Sequence, residues 1–277
     1  MQKITTTLVL LMSVWACAGD FAKDGDISYL PDPVNSDYAK EQCKLDVFYP
    51  KNVTDFSTIV WFHGGGLRMG ERQWGELVTA RFVPEGIAVV TVSYRFSPKV
   101  NNPVYIEDAA AAIAWTFKNI NKYGGDPDKI FISGHSAGGY LTLITGMDKR
   151  YLANHEIDIM QIAGLIPISG QTITHSTIRN EQGIPHGTQL VDEYSPLYYA
   201  NEIGPPCLCI CGGDDLPLRC AENIYFVEVQ KNAGNKNISF LEVDGHDHDA
   251  IFTNINKPGN EVATAMLEFI NKISNEN

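Results

Sequence analysis

Two stretches of this 277-residue chain carry residue types at spacings suited to nucleophilic chemistry. The first is Gly134-His135-Ser136-Ala137-Gly138, a G-x-S-x-G pattern that follows the apolar run Ile130-Phe131-Ile132-Ser133. Where a strand turns sharply into a helix, side chains two positions to either side of the serine would collide, and Gly134 and Gly138 remove both. Such a turn lifts Ser136 Oγ out of the sheet edge and aims a helix N-terminus at any oxyanion formed beside it. The second stretch is His63-Gly64-Gly65-Gly66, which ends another apolar run, Ile59-Val60-Trp61-Phe62. A glycine triplet exposes successive backbone N–H groups to a substrate oxygen, so the amides of Gly65, Gly66 and Ala137 are the expected oxyanion donors. Roughly 0.1 chance G-x-S-x-G matches are expected at this composition but only about 0.005 H-G-G-G matches, so the glycine triplet discriminates more sharply.

A serine hydroxyl needs a base, and the base needs a carboxylate to orient it; on a sheet of this kind they follow in the order Ser, Asp or Glu, His. The apolar runs 208–211 and 239–243 end in Gly212-Gly213-Asp214-Asp215-Leu216-Pro217 and Asp244-Gly245-His246-Asp247-His248. Asp215 is preferred to Asp214, because the longer loop offset suits a carboxylate that must reach across to the base; Asp214 is then a turn or capping residue. His248 is preferred to His246, which is left as a loop hydrogen-bonder or a wall of the pocket. Read as a metal pair, His246 and His248 lack a third and fourth ligand elsewhere in the motifs, so neither metal nor cofactor is expected. His135 is expected to pack beside the serine strand. Glu107-Asp108 reads as first-turn charge of a helix.

These groups need a scaffold that brings strand ends to one edge. Strand-like runs at 45–49, 58–63, 87–93, 129–133, 162–169, 208–211 and 239–243 alternate with helix-like spacing at 74–81, 106–122, 138–149, 219–232 and 261–273. Several of the runs are short and almost uniformly apolar, as in strands buried on both faces of a parallel sheet. The alternation predicts an α/β fold with a mostly parallel central sheet and helices on both faces. In such sheets ligands bind at the carboxyl ends of the strands. Residues 170–205 break the rhythm and are expected to form a small cap over that end. Its polar residues His175, Arg179, Glu181 and His186 have heads able to meet a sugar or carboxylate, although a solvated loop is the expected state of any one of them. Cys207, Cys209 and Cys211 fall on one face of a buried strand, where cysteines act as small hydrophobes; a Cys43–Cys220 pairing is conceivable.

The motifs above, with Leu45-Asp46-Val47-Phe48-Tyr49-Pro50, Ser93-Tyr94-Arg95-Phe96-Ser97-Pro98, Gly124-Gly125-Asp126-Pro127 and Tyr194-Ser195-Pro196, resemble the α/β-hydrolase fold. The resemblance is to the hormone-sensitive-lipase-like and bacterial feruloyl or acetyl-xylan esterase branch, which also contains kynurenine formamidase. It implies a serine carboxylesterase in which the offsets Gly212 to Asp215 and Gly245 to His248 carry the last two members of a Ser136, Asp215, His248 triad. It also implies a small-molecule or oligosaccharide ester as substrate, an acylated plant polysaccharide among them. A formamidase or amidase would use the same residues, and a binding protein on the same scaffold is the non-enzymatic alternative. Leu67 departs from the pattern, since an aromatic commonly follows H-G-G-G.

The first segment reads as a leader rather than as fold. Residues 1–16 hold one early lysine and an apolar run too short to span a bilayer, the pattern of a secretory signal. Val14-Trp15-Ala16-Cys17 resembles the lipobox of bacterial lipoproteins, which implies cleavage before Cys17, a lipid on that cysteine and membrane attachment through it. An exported chain is expected, periplasmic, outer-membrane-anchored or secreted, with the catalytic domain over 25–277. The whole sequence carries 21 basic and 33 acidic residues, a net charge of −12, which repels polyanions and argues against a nucleic-acid partner. With 44% apolar and 19% charged residues the composition is that of a globular domain, not a disordered or fibrous chain.

Overall fold

A computed structural model describes residues 21–31, 34, 36–185 and 187–276. The expected leader over 1–16, Cys17 and His186 lie outside the described residues. The uniformly apolar segments become strands with both faces covered. Every residue of β3 (Phe56–Phe62), β4 (Ala88–Val92) and β6 (Gly164–Ile168) is buried. Because successive side chains of a strand point to opposite faces, β3 divides between two cores. Val60 and Phe62 join one cluster and Ile59 and Trp61 the other.

The first core is closed by α3 (Val104–Asn119), α4 (Ala137–Met147) and α7 (Arg219–Ala233), which supply Ile106, Ala109, Tyr140, Leu141 and Phe226. The second is closed by α2 (Glu76–Phe82) and α9 (Glu261–Glu276) through Val78, Phe82, Val262, Met266 and Ile270. Helices therefore cover both faces of the sheet, as the alternating pattern predicts. Burying a Val, Leu, Ile or Phe side chain contributes about 1.5–3 kcal/mol, so this two-sided core is the main force holding the strand ends in register.

The sheet has eight strands in the order β1-β2-β4-β3-β5-β6-β7-β8. The strands from β4 through β3, β5 (Gly125–His135), β6, β7 (Cys207–Asp214) and β8 (Ile238–Asp247) pair in parallel, whereas β2 (Lys44–Pro50) is antiparallel to both β1 (Phe21–Ser28) and β4. The sequence pattern misses β1, whose residues FAKDGDIS are half-buried to exposed and show no alternation. The strand is held by its backbone pairing to β2 and by a charged cluster: Asp46 pairs with Lys23 at 2.9 Å and with Arg72 at 2.8 Å, and Arg72 reaches Asp26 at 2.7 Å.

Two other departures bear on the site. β7 and β8 run past their apolar cores, pairing Gly212 with Val243 and, after a register shift, Asp214 with Asp247. Residues 170–205 hold a short helix, α6 (Ser176–Glu181), fastened inward rather than loose. Thr177 Oγ1 donates to Gly66 O at 2.5 Å, and Glu181 Oε2 accepts from Asn102 N–H at 2.9 Å and from the Tyr105 hydroxyl at 3.3 Å. The reading of His175 and Arg179 as solvated is corrected: they are 4% and 3% exposed. Arg179 donates to Thr174 O at 2.5 Å, and His175 Nδ1 accepts from Thr177 N–H at 3.2 Å.

Candidate active site

Ser136 is the single residue between β5 and α4, with φ of +57°. A left-handed backbone is uncommon for a residue with a Cβ, and the surrounding packing enforces it. A Cβ on Gly138 would lie 1.9 Å from Phe62 O, and one on Gly134 would lie 2.5 Å from the Gly138 carbonyl carbon. Three main chains thus meet where the G-x-S-x-G spacing requires glycine. Ser136 N–H donates to Ile168 O at 2.8 Å, which ties the turn to the end of β6. The Ser136 side chain makes no capping bond to α4, so the amides of the first turn stay directed at the space beside Oγ.

The glycine triplet lies against this turn: a Cβ on Gly64 would come within 3.3 Å of Ser136 Cβ. Gly65 and Gly66 adopt φ of +102° and +65°, and a Cβ on Gly65 would meet Met69 O at 2.1 Å. Among the described residues no backbone acceptor takes the N–H of Gly65, Gly66 or Ala137. His63 braces the loop. Its Nδ1–H donates to Gly64 O at 2.7 Å, and its ring stacks on Tyr94 at 4.4 Å. The Tyr94 hydroxyl donates to His63 O at 2.8 Å. Burial pushes the His63 imidazole down to about 4, so it is neutral at ordinary pH.

On the other side of Ser136 the structure brings Asp215 and His248 together. His248 Nε2 accepts from Ser136 Oγ at 2.8 Å, and its Nδ1–H donates to Asp215 Oδ1 at 2.7 Å; the tautomer follows from these partners. Gly212 makes the approach possible, since a Cβ there would lie 2.1 Å from His246 O. Asp215 Oδ1 also accepts from Leu216 N–H at 2.6 Å, and Oδ2 accepts from the Ser169 hydroxyl. Burial alone would raise the Asp215 carboxyl, but the donors on its two oxygens, His248 first and Ser169 next, outweigh it and hold the group below the usual carboxylate range.

The alternatives fall elsewhere. Asp214 is exposed at the end of β7, and His246 hydrogen-bonds Asp244 O at 3.0 Å on the solvent side. Among the described residues no group of three or more His, Cys, Asp or Glu is placed to hold a metal ion. Cys43 and Cys220 are both free thiols, one bonded to Asp108 and the other to Gly212 O, so the conceivable pairing between them is absent. Glu107 lies in the first turn of α3, as expected of the pair, while Asp108 beside it is 1% exposed and grips the Arg95 guanidinium at 2.6 and 2.9 Å.

Two neighbours of Ser136, Asp215 and His248 make contacts that the sequence does not show. His135 does pack beside the serine strand, stacked on Phe252 at 5.3 Å, but its Nε2–H also donates to His248 O at 2.7 Å. Burial, and then the nearby His248, push its imidazole down to about 4. Ser169, at the end of β6, is fully buried and serves Asp215. Ser169 belongs to no motif and reaches the site only through the fold, whereas His135 stands at a variable position of G-x-S-x-G, whose spacing says nothing of its bond to His248 O. An open cleft of about 460 Å³ leads to Ser136 and the glycine loop, walled by Trp61, Met69, Trp74 and Phe252. Trp61 and Phe252 stack at 5.3 Å to form an aromatic face.

A mostly parallel eight-stranded sheet, with a left-handed serine between its central strand and a buried helix and with Asp and His past the last two strands, β7 and β8, defines an α/β-hydrolase fold. The chain belongs to the BD-FAE family, whose sequence profile matches residues 45–228. It is similar to a probable isoprenylcysteine alpha-carbonyl methylesterase of Oryza sativa subsp. japonica, 28% identical over 76% of this chain and 55% of that one. A probable carboxylic ester hydrolase, LipM, of Mycobacterium tuberculosis is 30% identical over 83% of this chain and 56% of its own length. The chain thus spans about half the length of these curated relatives. Among solved structures, a thermophilic esterase of Thermogutta terrifontis superposes with a TM-score of 0.68 at 25% identity, covering 84% of this chain and 87% of the esterase. A truncated carbohydrate esterase from gut microbiota shares the fold with a TM-score of 0.74 at 20% identity, over 92% and 96% of the two chains.

Proposed function

We propose that this protein is a serine carboxylesterase. The observation that carries the reading is the continuous hydrogen-bonded line from Asp215 through His248 to Ser136 Oγ beside unsatisfied backbone amides. His248 Nε2 takes the proton of Ser136 as Oγ attacks the ester carbonyl. The carbonyl oxygen becomes an oxyanion facing the amides of Gly65, Gly66 and Ala137, each donor worth about 3 kcal/mol of barrier. His248 then gives its proton to the departing alcohol oxygen, leaving an acyl group on Ser136. Water, deprotonated by the same imidazole, attacks the acyl carbonyl and restores the serine. Asp215 holds the imidazole in the tautomer that presents a bare Nε2 to Ser136, and stabilises its cation when it forms.

The relatives support the chemistry at this level, since those similar over most of this chain carry esterase or carboxylic ester hydrolase names. The substrate we infer is an acylated plant polysaccharide or a small acyl ester, supported by the resemblance to feruloyl and acetyl-xylan esterases and by the expected export leader. Ser136→Ala lowers kcat for p-nitrophenyl acetate by about 10⁶; retention of more than a few per cent of activity overturns the assignment. A panel of short acyl esters, feruloyl esters, acetylated oligosaccharides and N-formyl-kynurenine then ranks the substrates. A preference for the formamide would replace the ester reading.

A further inference from the structure

We infer that Ser169 is a positioning residue for the reaction, a fourth member of the line that fixes which oxygen of Asp215 faces His248. The inference rests on the esterase reading above and concerns a residue no motif contains. Ser169 follows β6 with φ of +53°, the left-handed region in which a residue with a Cβ is strained and glycine is not. Backbone strain of this kind persists where the surroundings over-determine it, and it clusters at sites that use the side chain. The two serines at the ends of the adjacent strands β5 and β6, Ser136 and Ser169, are both left-handed, and both point their hydroxyls into the same hydrogen-bonded line.

The main chain of Ser169 is pinned from two sides. Its N–H donates to Ile210 O at 2.7 Å on β7, and its carbonyl accepts from Nη1 of Arg219, whose Nε lies 2.8 Å from Glu222 Oε1. Asn223 Nδ2 donates to the next carbonyl, Gly170 O, at 2.8 Å. The hydroxyl is therefore delivered to Asp215 Oδ2 by a main chain held from both β7 and α7. Asp215 can rotate about its Cβ–Cγ bond unless both oxygens are claimed. With Ser169 on Oδ2 and Leu216 N–H on Oδ1, the second lone-pair direction of Oδ1 is left for His248 Nδ1–H.

Ser169→Gly separates this role from a merely structural one, because glycine suits the left-handed backbone and removes only the donor. With p-nitrophenyl acetate, kcat falls about tenfold, the size expected for a lost hydrogen bond to a charged group, while KM and the melting temperature stay near wild type. Ser169→Ala, which keeps the Cβ, loses the same factor in kcat. The pH profile supplies a second readout. Deprived of this donor, the Asp215 carboxylate becomes more basic and stabilises the His248 imidazolium more strongly, so the acid limb of kcat/KM moves to higher pH. The other titratable groups that face Asp215, namely His135, Cys211 and Cys220, and Arg219 on the Ser169 carbonyl, are not substituted in the variants. In an Asp215→Asn background the Ser169→Gly step has no further effect, because the group it orients no longer acts. Wild-type kcat and an unmoved acid limb in both variants overturn the inference while leaving the esterase reading intact. A wild-type protein that neither hydrolyses the ester nor labels at Ser136 with a fluorophosphonate overturns both.

Discussion

On the β3–β5 side of the site, main chain touches main chain: a Cβ at Gly138 would sit 1.9 Å from Phe62 O, and one at Gly65 would sit 2.1 Å from Met69 O. Across the cleft, on the β7–β8 side, Gly213 is exposed and the nearest atom to a Cβ there is 3.4 Å away, an ordinary contact. The turn that carries Ser136 and the loop at Gly65 are thus set by backbone packing that leaves no room for a side chain at Gly138 or Gly65. The acid and base are set by side-chain hydrogen bonds, Asp215 by Ser169 and His248, and His248 in turn by His135. Gly212 is the exception, a point of main-chain contact under an otherwise open pair of loops. One half of the site is built by exclusion and the other by attraction, so the two should fail differently.

The largest effect expected from this contrast is on the attraction side. Asp215→Asn keeps the shape but lets the amide present its NH₂ to His248 Nδ1, favouring the wrong tautomer; kcat for p-nitrophenyl acetate drops by about 10⁴. Asp214→Asn, one residue earlier and exposed, stays within a factor of about two, because surface substitutions away from such features rarely exceed 0.5 kcal/mol or so. Equal losses in the two variants would undo the choice of Asp215.

On the exclusion side the signature is reversed, with stability and activity falling together. Gly138→Ala forces Phe62 O away from the serine turn, costing about 3 kcal/mol of stability, as overpacked sites do, and about 10² in kcat from the displaced nucleophile. Gly213→Ala is the paired control and should be neutral to within about 0.5 kcal/mol. Denaturant midpoints and kcat measured on the same preparations test the pair. A stable, active Gly138→Ala protein would mean that the three main chains have more room than the distances allow.

The same contrast explains what could be read from the chain. Gly134, Gly138, Gly64 and Gly65 are imposed by close contacts local to a strand end and Gly66 by its φ of +65°, so their spacing shows directly in the sequence. Asp215 and His248 were placed by their offsets from Gly212 and Gly245, and each still left a neighbouring Asp or His as a rival that only the geometry of the folded loops separates. Ser169 left no trace because its partner is 46 residues away and a lone serine carries no period; His135 could be placed beside the serine strand, but not its bond to His248 O, 113 residues away. In the fold, the buried strands were legible through their uniform apolarity. β1 was not, because its position depends on pairing with β2 and on the Asp46–Arg72 cluster rather than on its own pattern. α6 is six residues long and polar, and what buries it is Thr177 on Gly66 and Glu181 on Asn102, contacts that sequence periodicity does not register.

The smallest expected effect concerns proton uptake on the packed side. Burial pushes His63 and His135 down to about 4, and His175, which is buried and also faces the Arg219 and Arg179 cations, to about 3. In the unfolded chain a histidine titrates near 6.5. Below that value and down to about 4, the unfolded state therefore binds protons that the folded state does not, and unfolding is favoured as the pH falls. Each group adds at most about 1.4 kcal/mol per pH unit across that window. Asp215 acts in the same sense but lower down: its depressed folded value contributes stability that is present above the unfolded carboxylate range and is lost as the pH falls through the folded value. Burial pushes the Glu222 carboxyl up to about 7, so the folded state gains one proton there and partly offsets the three histidines. Denaturant unfolding between pH 7 and 4.5 should therefore show a net decline in stability that is shallower in His135→Phe, which has one fewer proton to take up. A flat profile over that interval, or the same slope in the variant, would mean that His135 is not held neutral by the packed side of the site.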